Sequence, residues 1–359
     1  MREKYIDIMR GIAMVAIMSV HLPQEYIVVK YGLSFMVPTF FIVSGFFLKV
    51  NDNDLIGETI KVWYNKSAKK LILAYVGLSC WSVIIITAFS IIQDTFSISF
   101  TISLVYQAAS GLGILTLWFL PALILGEIIV IVPWKSEARR SIIITGLTLV
   151  NLFLAKQMTA QGIFGKACFD YRHPMRMISI NLLIVLSQGI VASFFINLGR
   201  YMKPLLNYIK NFKKYHLLLT GCVLEVAQLY ISESVIADIH YMNMVTPVRF
   251  MVAAILGVLA IAIISMAIDK INKGNLLAYI GKNSLFIMGT HHNFMLTALV
   301  GGLMSLSGMK DINAHILKFL IALGILIFID LVLLRICNTF NLTRYLFFDI
   351  RSRRFETKN

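Results

Sequence analysis

The chain is short of charge. Only 14% of its 359 residues are Asp, Glu, Lys or Arg, against about 25% in an average soluble domain. Water cannot solvate a surface so poor in charge, so lipid must cover much of it. Acid is scarcer still: 18 Asp and Glu stand against 33 Lys and Arg, a formal net charge of +15. Such a surplus raises the question of nucleic acid. That function needs a basic face on a soluble fold or a recognisable binding module. The cations here lie mostly in short loops between apolar runs, where membrane orientation already places them, so no nucleic-acid partner is expected. Cysteine is sparse as well. Cys80, Cys168, Cys222 and Cys337 are far apart, with no C-x-x-C pair and no zinc spacing. They read as packing residues, and no metal site is expected. No linker or low-complexity stretch marks a second domain, so residues 1–359 are expected to form one membrane domain.

What is present is apolar: 58% of the residues are hydrophobic. Several runs reach the roughly 17–25 residues that span hydrocarbon as a helix, whereas barrel strands would show alternating segments near ten residues. The pattern predicts an all-α, polytopic integral membrane bundle of about ten helices. The expected spans are 8–29, 33–49, 71–92, 112–133, 140–156, 178–198, 216–232, 247–268, 283–304 and 315–336. The first run could pass for a signal peptide, but no small-x-small cleavage site closes it, and Asp7 and Arg10 interrupt its start. A retained first helix is expected. Residues 95–111 are apolar enough to cross, but counting them would put Lys135, Arg139 and Arg140 outside, so they are expected to be interfacial or re-entrant. With both termini on the cytoplasmic face of a cell membrane, about 23 cations fall inside against about 7 outside.

Ionisable residues are costly inside a bilayer, and each one is a functional candidate. Arg10 and His21 are the sharpest pair. Eleven residues return a helix to within about 20° of its starting direction over a rise of about 16 Å, so both side chains line one face of the first helix. Asp7 shares that face one turn earlier. A snorkelling Arg and a hydrogen-bonded core His are the plain alternatives. His291 and His292 form a second cluster, and Ser284 lies seven residues before His291 on nearly the same helical face. Glu127, Glu225, Arg249 and Asp330 are further candidates that internal ion pairs would explain equally well. The segment from Pro38 to Gly45 holds Ser44, where small residues permit close helix approach. Lys66, Lys69 and Lys70 sit where the third span starts, and they would also attract a polyphosphate ligand. The loop 157–177 breaks the charge bias with Lys166, Arg172, His173 and Arg176, which could contact an anionic glycan.

At these residues the sequence resembles the membrane acyltransferase 3 family, especially its fucose 4-O-acetylase-like branch. RGIAMVAIMSVH, carrying Arg10 and His21, matches the family's arginine, ten residues, histidine signature. PTFFIVSGFF resembles its PxFFxxSGF element, KKLILAY at 69–75 its RRLLLPY, and LWFLPAL at 117–123 its WFLxxL. GKNSLFIMGTH at 281–291 resembles the late GxxSLxIYLLH motif and aligns His291 with its histidine. The motifs keep their order over about four-fifths of the chain. Lysines stand at 69–70 where arginines are usual, which loses bidentate phosphate binding; Ala74 replaces a proline and Met288 a tyrosine.

The resemblance implies an acyl-CoA donor, commonly acetyl-CoA, as co-substrate with no bound cofactor, and a hydroxyl on a cell-surface or lipid-linked carbohydrate as acceptor. In that reading His21, Arg10 and His291 are catalytic. Lys66, Lys69, Lys70, Ser44, Ser284 and Asp7 bind the donor or complete the cavity. A transporter or flippase of lipid-linked sugars is the alternative; no interrupted helices in matching halves are evident in the sequence to favour it.

Overall fold

The structure, a computed structural model, describes residues 3–22, 34–50, 56–132, 134–164, 173–307 and 315–347. In chain order the helices are α1 (Lys4–Val20), α2 (Met36–Phe47), α3 (Ile56–Trp63), a π-helical turn (Tyr64–Ala68) that runs into α4 (Lys69–Ile92), and α5 (Ile98–Ser110). A 3₁₀ turn (Leu115–Trp118) opens α6 (Phe119–Ile131), followed by α7 (Glu137–Ala160), α8 (Pro174–Ile209) and α9 (Lys214–Ser232). A two-residue hairpin, β1 (Ala237–Asp238) with β2 (Asn243–Met244), leads to α10 (Pro247–Lys270). The chain closes with α11 (Asn275–Lys282), α12 (Ser284–Thr290), α13 (Leu296–Leu306), α14 (His315–Thr339) and α15 (Thr343–Leu346). Among the described residues, six helical stretches are long and apolar enough to cross a membrane.

Their outward faces confirm the solvent. Ile92 is 78% exposed, Ile142 73% and Phe328 67%. Water would not tolerate so much exposed large apolar surface over whole helices, and hydrocarbon would. The 36 residues of α8 rise about 54 Å, more than the roughly 30 Å of a bilayer core.

Two compact units divide the chain: Met1–Thr59 with Leu125–Ser284, and Ile60–Ile124 with Leu285–Asn359. In the first, α1 packs against α2, α10 and α11, while α2 and α7 pack on α8 and α9 on α10. In the second, α4 carries α5, the 3₁₀ turn and α15, and α13 packs on α14.

Two expected spans, 8–29 and 283–304, differ from the observed helices, and segment 95–111 takes a definite form. The first, expected over 8–29, begins at Lys4 and ends at Val20, with His21 as its C-cap. Pro23 in the sequence accounts for the stop, since proline disfavours helix at the residue before it and cannot continue one; residues 23–29 lie outside the described residues. Segment 95–111 is a helix, α5, that ends in left-handed Gly111. It runs antiparallel beside α4: Thr87 meets Thr101 near one end, and the Tyr75 hydroxyl donates to the Ala108 carbonyl at 2.6 Å near the other. It therefore turns back along its neighbour. The span expected at 283–304 is broken into α12 and α13 by turns over residues 291–295. Met295, at the end of the break, takes a left-handed backbone with φ 58°.

Candidate active site

Two glycines build the first part of the site. Gly11 follows Arg10 on α1, and Gly281 precedes Ser284 by three residues at the end of α11. A Cβ on Gly11 would collide with the Leu277 carbonyl oxygen, and one on Gly281 with that of Asp7. Only hydrogen at both positions lets the two backbones touch. The contact delivers Ser284, 2% exposed, to Arg10, whose Nη2 donates to the serine Oγ at 2.8 Å. Asp7 is buried one turn below Arg10. The structure thus brings together Arg10, Asp7 and Ser284 from motifs some 270 residues apart, and half-buried His21 stands at the far end of the same helix.

Ser44 is placed the same way. Gly45 and Gly199 press α2 onto α8, where added carbons would strike the carbonyls of Ile196 and Ile42. Ser44 Oγ then donates to Glu127 Oε1, a carboxylate only 4% exposed at the end of α6. Lys203 Nζ caps the end of α2 by donating to the Phe46 carbonyl at 2.7 Å. Ser44 is therefore tied to an acidic partner, which sequence reasoning had named separately.

In the second unit the helix break gathers buried polar side chains. Thr290, His291 and Asn293 are each 0% exposed. Irregular backbone at membrane depth persists only where protein buries it or where it lines a cavity. Turn bonds satisfy part of that backbone, Phe294 N–H donating to the Thr290 carbonyl and Thr297 N–H to that of His291, and Asn293 ties the break to its neighbours: its Nδ2 donates to the Ile114 carbonyl at 2.8 Å and to Ser82 Oγ at 3.2 Å, while its Oδ1 lies against the Thr116 hydroxyl. That hydroxyl also reaches the Met288 carbonyl at 2.8 Å and donates to one acceptor at a time. His291 Nδ1 donates to the Ile287 carbonyl at 2.7 Å. A carbonyl only accepts, so the neutral ring carries its proton on Nδ1 and its basic lone pair on Nε2. His292, half-buried, pairs its Nδ1 with Thr297 Oγ1 at 2.9 Å. Thr290 Oγ1 donates to Asp330 Oδ1 at 2.6 Å.

Ion pairing does not account for the remaining candidates. Among the described residues Asp330, Glu225 and Arg249 form no salt bridge. Asn293 and Thr116 escaped sequence reasoning. The signal was there, because Thr290 to Asn293 is a run of four polar residues within an apolar stretch. Lys66 lies in the π-helical turn and is exposed, as is Lys70, with Lys69 half-buried. None of the three pairs with another side chain among the described residues. Isolated π turns inside α-helices are frequent at functional sites. Of the basic loop, Lys166 and Arg172 lie outside the described residues, and His173 and Arg176 are exposed at the start of α8. No group of three or more His, Cys, Asp or Glu suited to a metal ion occurs among the described residues.

Apolar crossing helices, with polar side chains held inside them by close backbone contact and at a helix break, define an all-helical polytopic membrane protein built for chemistry within its bundle. The chain belongs to the acyltransferase 3 family, whose model, described as an acyltransferase domain, matches residues 3–335. It is a membrane acyltransferase. No curated protein and no solved structure matches the chain.

Proposed function

We propose that the protein transfers an acetyl group from acetyl-CoA to a hydroxyl of a cell-surface or lipid-linked carbohydrate. The observation that carries this reading is the Arg10–Ser284 hydrogen bond, which joins the opening arginine motif to the late GKNSLF segment in one buried place. Arg10 stabilises charge developing on the thioester carbonyl oxygen. His21 takes the proton of the sugar hydroxyl as its oxygen attacks the carbonyl carbon; the carbon–sulfur bond then breaks and the CoA thiolate takes up a proton. His291, with its proton fixed on Nδ1, offers a second basic nitrogen. Lys66, Lys69 and Lys70 attract the CoA phosphates, and the donor enters from the cytoplasmic side, where the charge pattern puts these lysines.

The test is acyl transfer by purified protein in liposomes, read as free thiol released from acetyl-CoA in the presence of a glycan acceptor. His21→Ala should lower transfer by about 10²–10⁴-fold, the usual contribution of a positioned base, while folded protein persists. Full activity in that variant removes His21 from the chemistry.

One observation favours a second reading. The break between α12 and α13 is an interrupted helix, like the discontinuous helices that form substrate sites in secondary transporters. Movement of a lipid-linked sugar across the liposome membrane without thiol release would support transport over acyl transfer.

A further inference from the structure

A groove that does not include Arg10 lies in the first unit. One stripe of α7, including Thr148, Leu149, Leu152 and Phe153, faces the first turns of α10 across a groove of about 520 Å³, with Phe194 of α8 along it. From Thr145 to Lys156 the α7 wall extends about 16 Å. The lining is mostly apolar, with three threonines (Thr145, Thr148 and Thr246) and two cations, Lys156 and Arg249.

The hairpin ties together the two helix ends that carry these cations. The Met244 backbone N–H donates to Thr159 Oγ1 at 3.0 Å, which ties the end of α7 to β2 just before α10 begins. Lys156 lies one turn before that junction, and Arg249 sits in the first turn of α10. Both are exposed, and neither forms a hydrogen bond or ion pair among the described residues. The start of α10 adds to the positive end. Its N-cap Thr246 makes no side-chain cap bond, because its hydroxyl is taken by Ile236, whose N–H donates to it at 2.8 Å. The first-turn N–H groups, with the positive end of the helix dipole, favour an anion there.

We propose that this groove holds a lipid phosphate with a single apolar chain, the phosphate between Lys156 and Arg249 and the chain along α7. Leu149, Phe153 and Val248 are 60%, 61% and 69% exposed, so the groove opens toward the lipid and the ligand arrives from the leaflet. Its volume falls within the range of sites for one small ligand, and its wall of about 16 Å takes the stretch of a single chain next to the phosphate, the rest of the chain remaining in the lipid. The positive-inside pattern places both cations on the side that carries few, so orientation gives no reason for them and an anionic ligand does. The lipid is the carrier of the carbohydrate acceptor; this last step rests on the acyl transfer proposed above, whereas the binding does not.

The experiment uses the full chain in phosphatidylcholine nanodiscs doped with undecaprenyl phosphate, with retained lipid counted by native mass spectrometry. The wild type should retain it. K156Q/R249Q should retain at least tenfold less, as should Leu149→Trp, which fills the groove and keeps the cations. K213Q/K273Q, which removes the same charge elsewhere, should match the wild type. Equal retention by K156Q/R249Q and the wild type overturns the proposal. So does equally tight retention of phosphatidylglycerol, or full displacement by millimolar inorganic phosphate, which would leave the chain without a role. Protein that retains the lipid but consumes no acetyl-CoA refutes the acyltransferase substrate reading alone, and protein that acetylates a lipid-linked acceptor without retention in the groove refutes this site alone.

Discussion

Gly281→Ala tests whether the backbone contact between α1 and α11 sets the chemistry. The new Cβ would sit inside contact distance of the Asp7 carbonyl oxygen and close to the Gly11 nitrogen. Backbone cannot swing aside as a side chain can, so restoring ordinary contact of about 3.4 Å requires the helices to part by more than an ångström. The Arg10–Ser284 bond, now 2.8 Å, would then exceed the range of a hydrogen bond. Overpacking of this kind costs about 1–3 kcal/mol of stability, and a 1 Å misplacement of a catalytic group can cost about 10²-fold in rate. G281A should therefore stay folded with a modestly lowered thermal midpoint and lose about 100-fold in acetyl-CoA-dependent thiol release. Ser284→Ala removes the bond and leaves the backbones in place, so its loss should be smaller. Gly301→Ala is the control, since a Cβ there meets nothing within 4 Å. Activity in G281A equal to that of G301A would refute the reasoning.

Three further outcomes follow from the same structure. Replacing Lys66, Lys69 and Lys70 together by Gln should raise KM for acetyl-CoA about tenfold with little change in kcat, an effect that shrinks as salt screens the attraction; steady-state kinetics at two ionic strengths checks it, and an unchanged KM contradicts it. Asn293→Ala should lower the thermal midpoint in detergent, because it removes the buried hydrogen bonds to Ile114, Ser82 and Thr116, each worth about 0.5–1.5 kcal/mol net; an unchanged midpoint would contradict a structural role for these bonds. In the hairpin outside the membrane, burial lowers the His240 pKa to about 3. The unfolded chain therefore binds this proton first, and the stability owed to neutral His240, full above about pH 6.5, drains away as pH falls toward 3. His240→Gln should flatten that slope in thermal melts taken between pH 7 and 4.

The class of fold was legible because hydrocarbon imposes a length and an apolar run imposes a helix, and both can be counted in one dimension. The partners of Arg10 were legible only in part. Its spacing to Asp7 and His21 lies within one helix, whereas Ser284 reaches it through a contact between two backbones. The glycines that permit this contact, Gly11 and Gly281, stood inside the quoted motifs without a stated reason. The broken span at 283–304 was missed because a window average absorbs four polar residues among many apolar ones. Pro23 was missed for a related cause: hydropathy treats proline as nearly neutral, while its effect on a helix is geometric.

A bilayer gives helices little hydrophobic reason to associate, since lipid tails are as apolar as leucine; association rests on close packing and hydrogen bonds. That shifts the burden of positioning onto small residues. Here Arg10 and Ser44, two of the expected site residues, are each followed directly by a glycine whose missing side chain brings in the backbone of another helix. The polar partners, Ser284 for Arg10 and Glu127 for Ser44, then lie within hydrogen-bond reach. A motif such as RG or SG thus couples a polar group with a gap that fixes which partner it meets. Enlarging the gap-making residue should accordingly depress catalysis more than stability at both places. Gly45→Ala, which would strike the Ile196 carbonyl as G281A strikes that of Asp7, should also lose more activity than thermal stability.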